Sequence, residues 1–236
     1  MRKLRLQITK GEEIRHISHL DYSRALERAL RRAKLPVAYS EGFNPHMKFA
    51  LASALALGVT SDAEYVDVEM TQELPLSTVM ERLQSQTPPG LRVLSGRYME
   101  PGSPAPMAIV NRSSYMLTVP LAVAQDLAAL EAALAQYNQA PQVPFCKVSP
   151  KGRRDVDLKQ YTQNRLQVVP AVPEDGALLR RISLDILITP TGSIKPAEVL
   201  AVLVERFGLP TMAERVGIHR TGLYVVRGTE ILSPIE

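Results

Sequence analysis

His16 and His19, two of the chain's four histidines, stand three residues apart in EEIRHISHLD, with Asp21 just behind them and His46 in a later stretch. Imidazoles at i and i+3 can share a helix face, and histidine with carboxylate suits zinc or a non-haem metal. Ser18 reads as a helix cap, however, which leaves His16 outside the helix and splits the pair. No metal site is therefore expected. A second chemistry is metal-independent RNA cleavage or base modification, which needs a histidine near neutral pKa beside a cation that stabilises the transition-state charge. His16 or His46 beside Arg24 and Lys48 could supply it. Equally, a histidine at a helix entrance or in a turn can be a hydrogen-bonded structural residue.

A third candidate is Asp155. In KVSPKGRRDVDLKQY, residues 147–161, period-two geometry puts Arg153, Asp155 and Asp157 on one side of a strand. That makes either a surface ion pair or an acid held by a cation, as the nucleophile of a pseudouridine-synthase-like reaction would be. The rest of such a motif is missing. So are a phosphate loop, a GxGxxG turn, a GxSxG elbow and an HExxH pair, which argues against an ATPase, dehydrogenase, serine hydrolase or zinc protease.

The residues speak more clearly of a binding surface. Residues 1–40 hold ten Lys or Arg against four Asp or Glu, residues 41–142 five against ten, and residues 143–170 six against two. Two basic segments flank an acidic middle, although the net charge is only +4. On a helical wheel Arg24, Arg28, Arg31 and Arg32 crowd the face opposite Tyr22, Leu26, Ala29 and Leu30. Phe43, Asn44, His46 and Lys48 give the next loop an aromatic ring, an amide, an imidazole and a cation, a mixture suited to an unstacked base or a phosphate. Alternatively Phe43, Phe49 and Leu51 plug that loop onto a sheet. Lys151, Arg153, Arg154 and Lys159 form the second basic group.

The elements that must position these groups follow from periodicity. KLRLQIT alternates and predicts a strand; Ser18 and Asp21 start a helix near His19 that ends before Pro36. PVAYS is a short strand, followed by a long loop to Thr60; AEYVDVEM is a strand, residues 76–86 a helix, and LRVLSGRYME a strand. Proline-rich PGSPAPM, residues 101–107, reads as a linker. Beyond it SYMLTVP, a helix over 121–139, a hairpin in 145–161, a strand over 180–189, the helix KPAEVLAVLVERF and the strand TGLYVVRG repeat the layout. The expected class is α+β, with two ferredoxin-like βαββαβ domains in tandem, residues 1–104 and 105–236.

Cys146 is the one cysteine, so no internal disulfide can form and no iron–sulfur cluster, which needs three or four thiolates, can be held. No cofactor is expected. With no long apolar run and no secretion signal, a soluble cytoplasmic protein away from membranes is expected.

Leu4 to Glu69, above all SHLD, RALRRAKLPVAYSEGFNPH and the LGV and AEY that follow, resembles the radical-SAM-linked (radical-SAM-associated) family, a domain of unknown function. KGRRDVDLKQY is similar to that family's second-half signature. Members stand alone or extend radical-SAM enzymes with a cobalamin-type N-terminal region, and no agreed catalytic residue comes with the resemblance. Met47 followed by Lys48 departs from the family, in which a second proline and a basic residue tend to follow FNPH. The resemblance implies work beside a radical-SAM enzyme, and the lone cysteine makes this chain the companion rather than the catalyst.

The expected function is thus a non-catalytic accessory protein that binds tRNA or rRNA and presents it to a radical-SAM modifying enzyme. Alternatives are an endoribonuclease or base-modifying enzyme using His16, His19 or His46, and an interaction module that docks a radical-SAM partner without RNA.

Overall fold

The computed structural model describes residues 2–149, 152–162, 164–170 and 178–236. The expected α+β class is borne out: strands predominate and helices pack on them. Two compact units form, one from Met1–Val110 with Gly222–Glu236, the other from Asn111–Thr221. The chain leaves the first unit after Val110 and re-enters it at Gly222. No described helix is long and apolar enough to cross a membrane.

The first unit runs β1 (Arg2–Lys10), α1 (His19–Arg32), β2 (Phe49–Leu51), β3 (Thr60–Met70), α2 (Leu76–Gln84) and β4 (Val93–Met99). Its strands lie β4-β1-β3-β2, every neighbouring pair antiparallel. Alternation along β1 turns Leu4, Leu6 and Ile8 to one face, where Leu4 meets Val68 and Leu6 meets Val66 of β3 in register. Onto that face α1 lays Tyr22, Leu26, Ala29 and Leu30, and α2 lays Val79 and Leu83. These residues recur at three- and four-residue spacing, so each helix buries one stripe.

The other face of β1 is buried in part. Arg5 is 1% exposed: its guanidinium donates to both Asp67 carboxylate oxygens at 2.6 and 2.9 Å, to the Pro234 carbonyl at 2.6 Å and to the Pro104 carbonyl at 2.7 Å. A charge taken from water at high cost is thus met on every side. Lys3 donates to the Ser103 carbonyl. The proline-rich stretch expected as a linker therefore packs on β1, and it ends in the short helix α3 (Pro106–Ile109).

PVAYS makes only isolated bridges, Val37 with Met70 and Tyr39 with Met47. The strand at that edge is instead Phe49–Leu51, within the expected loop, because residues 38–48 fold back upon themselves before reaching β3.

The second unit runs β5 (Arg112–Pro120), α4 (Asp126–Gln139), β6 (Pro144–Ser149), β7 (Gly152–Asp157), β8 (Gln167–Val169), β9 (Leu179–Leu187), α5 (Pro196–Phe207) and the first part of β10 (Gly217–Arg227). Its sheet is ordered β10-β5-β9-β8, and β6 and β7 form a separate two-stranded ribbon. Tyr115, Leu117 and Val119 alternate inward with Ile182, Leu184 and Ile186, and Leu130, Leu134 and Leu203 of the helices are buried as well. Helix α4 starts at Asp126 rather than at Leu121, because the Asp126 carboxylate accepts from the Ala122 and Val123 amides and closes a turn ahead of it. Gly208, at φ 71°, ends α5 in the left-handed conformation that glycine adopts without strain. The end of β10 belongs to the first unit and pairs with β11 (Glu230–Leu232).

Candidate nucleic-acid interface

Helix α1 begins as its sequence predicts. The Ser18 hydroxyl oxygen accepts from the Asp21 amide at 3.1 Å, and the hydroxyl donates to the Asp21 carboxylate at 2.7 Å. Arg24, Arg28, Arg31 and Arg32 are all exposed along the helix. Two of them touch carboxylates, Arg24 with Asp21 at 3.5 Å and Arg31 with Glu27 at 2.8 Å. Such exposed pairs contribute at most about 1 kcal/mol and exchange readily for another anion. Arg32 donates to the Gln86 carbonyl at the end of α2. Arg31 and Arg32 also lie where the α1 carbonyls end, a position in which cations favour the helix itself.

Ahead of α1 a buried ammonium shapes the turn. Lys10 is 1% exposed and donates to the Arg15 carbonyl at 2.9 Å and the Ile17 carbonyl at 3.1 Å. Burial pulls its pKa below the ordinary lysine value, against the attraction of Glu64. Tyr22, whose hydroxyl donates to the Thr9 carbonyl, is pushed well above the ordinary tyrosine value by burial, with Glu64 adding to the rise. His16 and His19 stand outside this assembly, both exposed; His16 Nε2 accepts from Arg15 Nε at 3.0 Å. Among the described residues no group of three or more metal-ligating side chains forms.

The FNPH loop is a closed excursion. Lys48 N donates to the Ala38 carbonyl and Ser40 N to the His46 carbonyl, each at 2.8 Å; His46 N donates to Ser40 Oγ at 2.9 Å. Met47 is buried and Lys48 reaches Glu69 at 3.6 Å. Beyond this zipper Phe43 is 106% exposed, with Asn44, Pro45 and His46 exposed around it. Of the three expected plugs only Leu51 is buried, Phe49 is half-buried, and Phe43 packs on nothing. Tyr39, 43% exposed on the same excursion, went unnoticed in the sequence because nothing in PVAYS marks one of its residues as outward.

In the second unit the ribbon pairs Cys146 with Asp155, Lys147 with Arg154 and Val148 with Arg153. Arg153, Arg154 and Asp155 are exposed. Asp157 is a structural acceptor, taking the Val143 and Lys159 amides at 2.8 and 3.0 Å. Lys159 turns inward: its ammonium donates to the Tyr137 and Asn138 carbonyls at the end of α4 and lies 4.9 Å over the Tyr137 ring. Burial lowers its pKa, Asp157 opposing. Lys147, in the same basic segment, donates to the Ser193 carbonyl and lies 3.9 Å from Glu198. Lys151 falls outside the described residues.

The candidate residues therefore fall into three groups: the α1 arginines, the FNPH tip and the exposed part of the ribbon. No curated protein matches the chain. Residues 3–196, which contain all three groups, match the family described as "Uncharacterized protein conserved in bacteria (DUF2344)", and the chain belongs to that family.

Proposed function

We propose that this is a non-catalytic RNA-binding accessory protein of the cytoplasm, which presents tRNA or rRNA to a radical-SAM modifying enzyme. The observation that carries the reading is the fully exposed Phe43 on a closed loop, in the same unit as a helix that presents four arginines to water. An aromatic ring for a base and guanidinium groups for phosphates are the two components of a non-specific RNA contact. The exposed Arg153 and Arg154 of the ribbon offer further phosphate contacts. Strand orders β4-β1-β3-β2 and β10-β5-β9-β8 support reading the units as a ferredoxin-like pair. The radical-SAM partner rests on the resemblance at SHLD, FNPH and KGRRDVDLKQY.

The test is retention of total tRNA and rRNA by the purified protein across a salt series. Each phosphate neutralised contributes about 0.7 to 0.9 to the log–log salt slope, so joint replacement of Arg24, Arg28 and Arg31 by Ala should reduce the slope by about 2 to 3. Unchanged retention rejects the proposal. Cleavage or modification of RNA by the protein alone, lost in His16→Ala, His19→Ala or His46→Ala, would replace it with the enzyme reading. A stoichiometric partner protein bound without nucleic acid would replace it with the docking reading.

A further inference from the structure

We infer that the tip formed by residues 40–46 is a stacking platform for an unpaired nucleobase, so that the RNA taken by the first unit is single-stranded where Phe43 meets it. This rests on the RNA-binding reading and names the substrate class of that site.

A phenyl ring wholly in water is a standing cost, and this one is held there by construction. The feet of the loop are joined to each other and to β3: Ala38 N donates to the Glu69 carbonyl at 2.8 Å, and Glu69 N to the Lys48 carbonyl at 3.0 Å. Met47 anchors one foot in the core. Gly42 has φ 116°, a conformation other residues rarely adopt, and a Cβ there would meet nothing within 4 Å. Glycine is thus needed for backbone shape alone, to make the reversal that lifts Phe43 clear. An apex tied down in this way has already lost much of the freedom that binding would otherwise remove.

The chemistry of the tip selects among ligands. In SEGFNPH the only formally charged side chain is Glu41, so the apex is not a phosphate clamp. It offers a π-face at Phe43, with the amide of Asn44 and the imidazole of His46 exposed beside it. Those groups fit the face and edge of a base. In a duplex the faces are covered by stacking and the A-form major groove is too narrow for side chains, whereas loops, bulges and ends expose both. Phosphate contacts fall to the α1 arginines of the same unit.

The experiment measures binding of the full chain to a 12-nucleotide RNA, alone and annealed to its complement, with 2-aminopurine at successive positions. The wild type should prefer the single strand and quench the fluorophore at the stacked position. Phe43→Ala and Phe43→Leu should each weaken single-strand binding roughly 5- to 150-fold, the range for one stacked base, and abolish quenching. Phe43→Tyr should keep both, and duplex binding should be the same in all four proteins. Circular dichroism checks folding, which an exposed side chain does not support. Equal affinity for the two RNAs, or wild-type affinity in Phe43→Ala or Phe43→Leu, overturns the stacking inference while RNA binding stands. Absence of binding to either RNA by the wild type overturns both.

Discussion

Between its opening helix and its second strand the first unit inserts the closed loop 38–48, tipped by Phe43; at the same place in its order the second unit inserts the β6–β7 ribbon, with Arg153 and Arg154 exposed. In both, the strand that follows, β2 or β8, is only three residues long. The helices before the insertions differ more sharply. Four arginines line α1, whereas α4, DLAALEAALAQYNQ, has no Lys or Arg. Packing constrains only the buried stripe of each helix, Tyr22, Leu26, Ala29 and Leu30 in one and Leu130, Ala133, Leu134 and Tyr137 in the other. The same scaffold can therefore carry its spare cations on a helix or on a ribbon without altering the core.

The units also differ in buried charge, and the largest expected effect lies there. Arg5→Ala strips the buried Asp67 of its bidentate partner and leaves it only Lys3, at 3.9 Å, and should cost about 3 kcal/mol by denaturant unfolding. Hydrogen exchange on the full chain should then show lost protection in β1 and β3 with β5 and β9 unchanged. Equal loss in both would mean that the two units unfold as one, and the distinction between them would fail. Next, Ser18→Ala removes the side-chain cap of α1 and should cost about 1 kcal/mol. Lys159→Met withdraws a cation from the end of α4 and should cost about 0.3 to 1 kcal/mol, more than the exposed Arg31→Ala at the end of α1. An equal cost for the two would erase that contrast.

A further effect appears only at alkaline pH. A tyrosine whose folded pKa is raised contributes stability that is fully present below its unfolded value near 10 and lost as pH climbs past it. Lys10, whose folded pKa is lowered, acts in the opposite sense, stability rising with pH as 10.5 is approached from below. Tyr22→Phe should therefore flatten the loss of stability above pH 10. An identical alkaline limb in wild type and variant would show that Tyr22 titrates alike in the folded and unfolded states.

Much of this fold was legible in sequence because the signals are local. Ser18 and Asp21 mark a helix start through a hydrogen bond three residues long, and KLRLQIT declares a strand by alternation. Arg5 and Lys10 were not legible: alternation places Arg5 opposite Leu4, Leu6 and Ile8, and Lys10 lies past a register shift at the end of β1, so that only the later return of the chain buries the one and the turn before α1 the other. Strand β2 was missed because Phe49–Leu51 is a strand only through its pairing with Val66–Val68. For the candidate site, residue types suggested the ring and the cations. Periodicity could not distinguish a plug from an outward-pointing ring at Phe43, since both readings place an aromatic in the same loop; the zipper from Ala38 to Lys48 decides it. Lys159 looked like one more surface cation until the end of α4 came beside it.

The guanidinium of Arg5 binds a carbonyl 229 positions further along, that of Pro234. At synthesis rates of about 5 to 20 residues per second, roughly 10 to 45 s pass between the emergence of the two. Throughout that interval one of its buried acceptors does not yet exist, and nascent β1 and β3 wait with that flank open. A ribosome stalled after Thr221 would thus hold a first unit short of its final piece, in the form most exposed to proteases and chaperones.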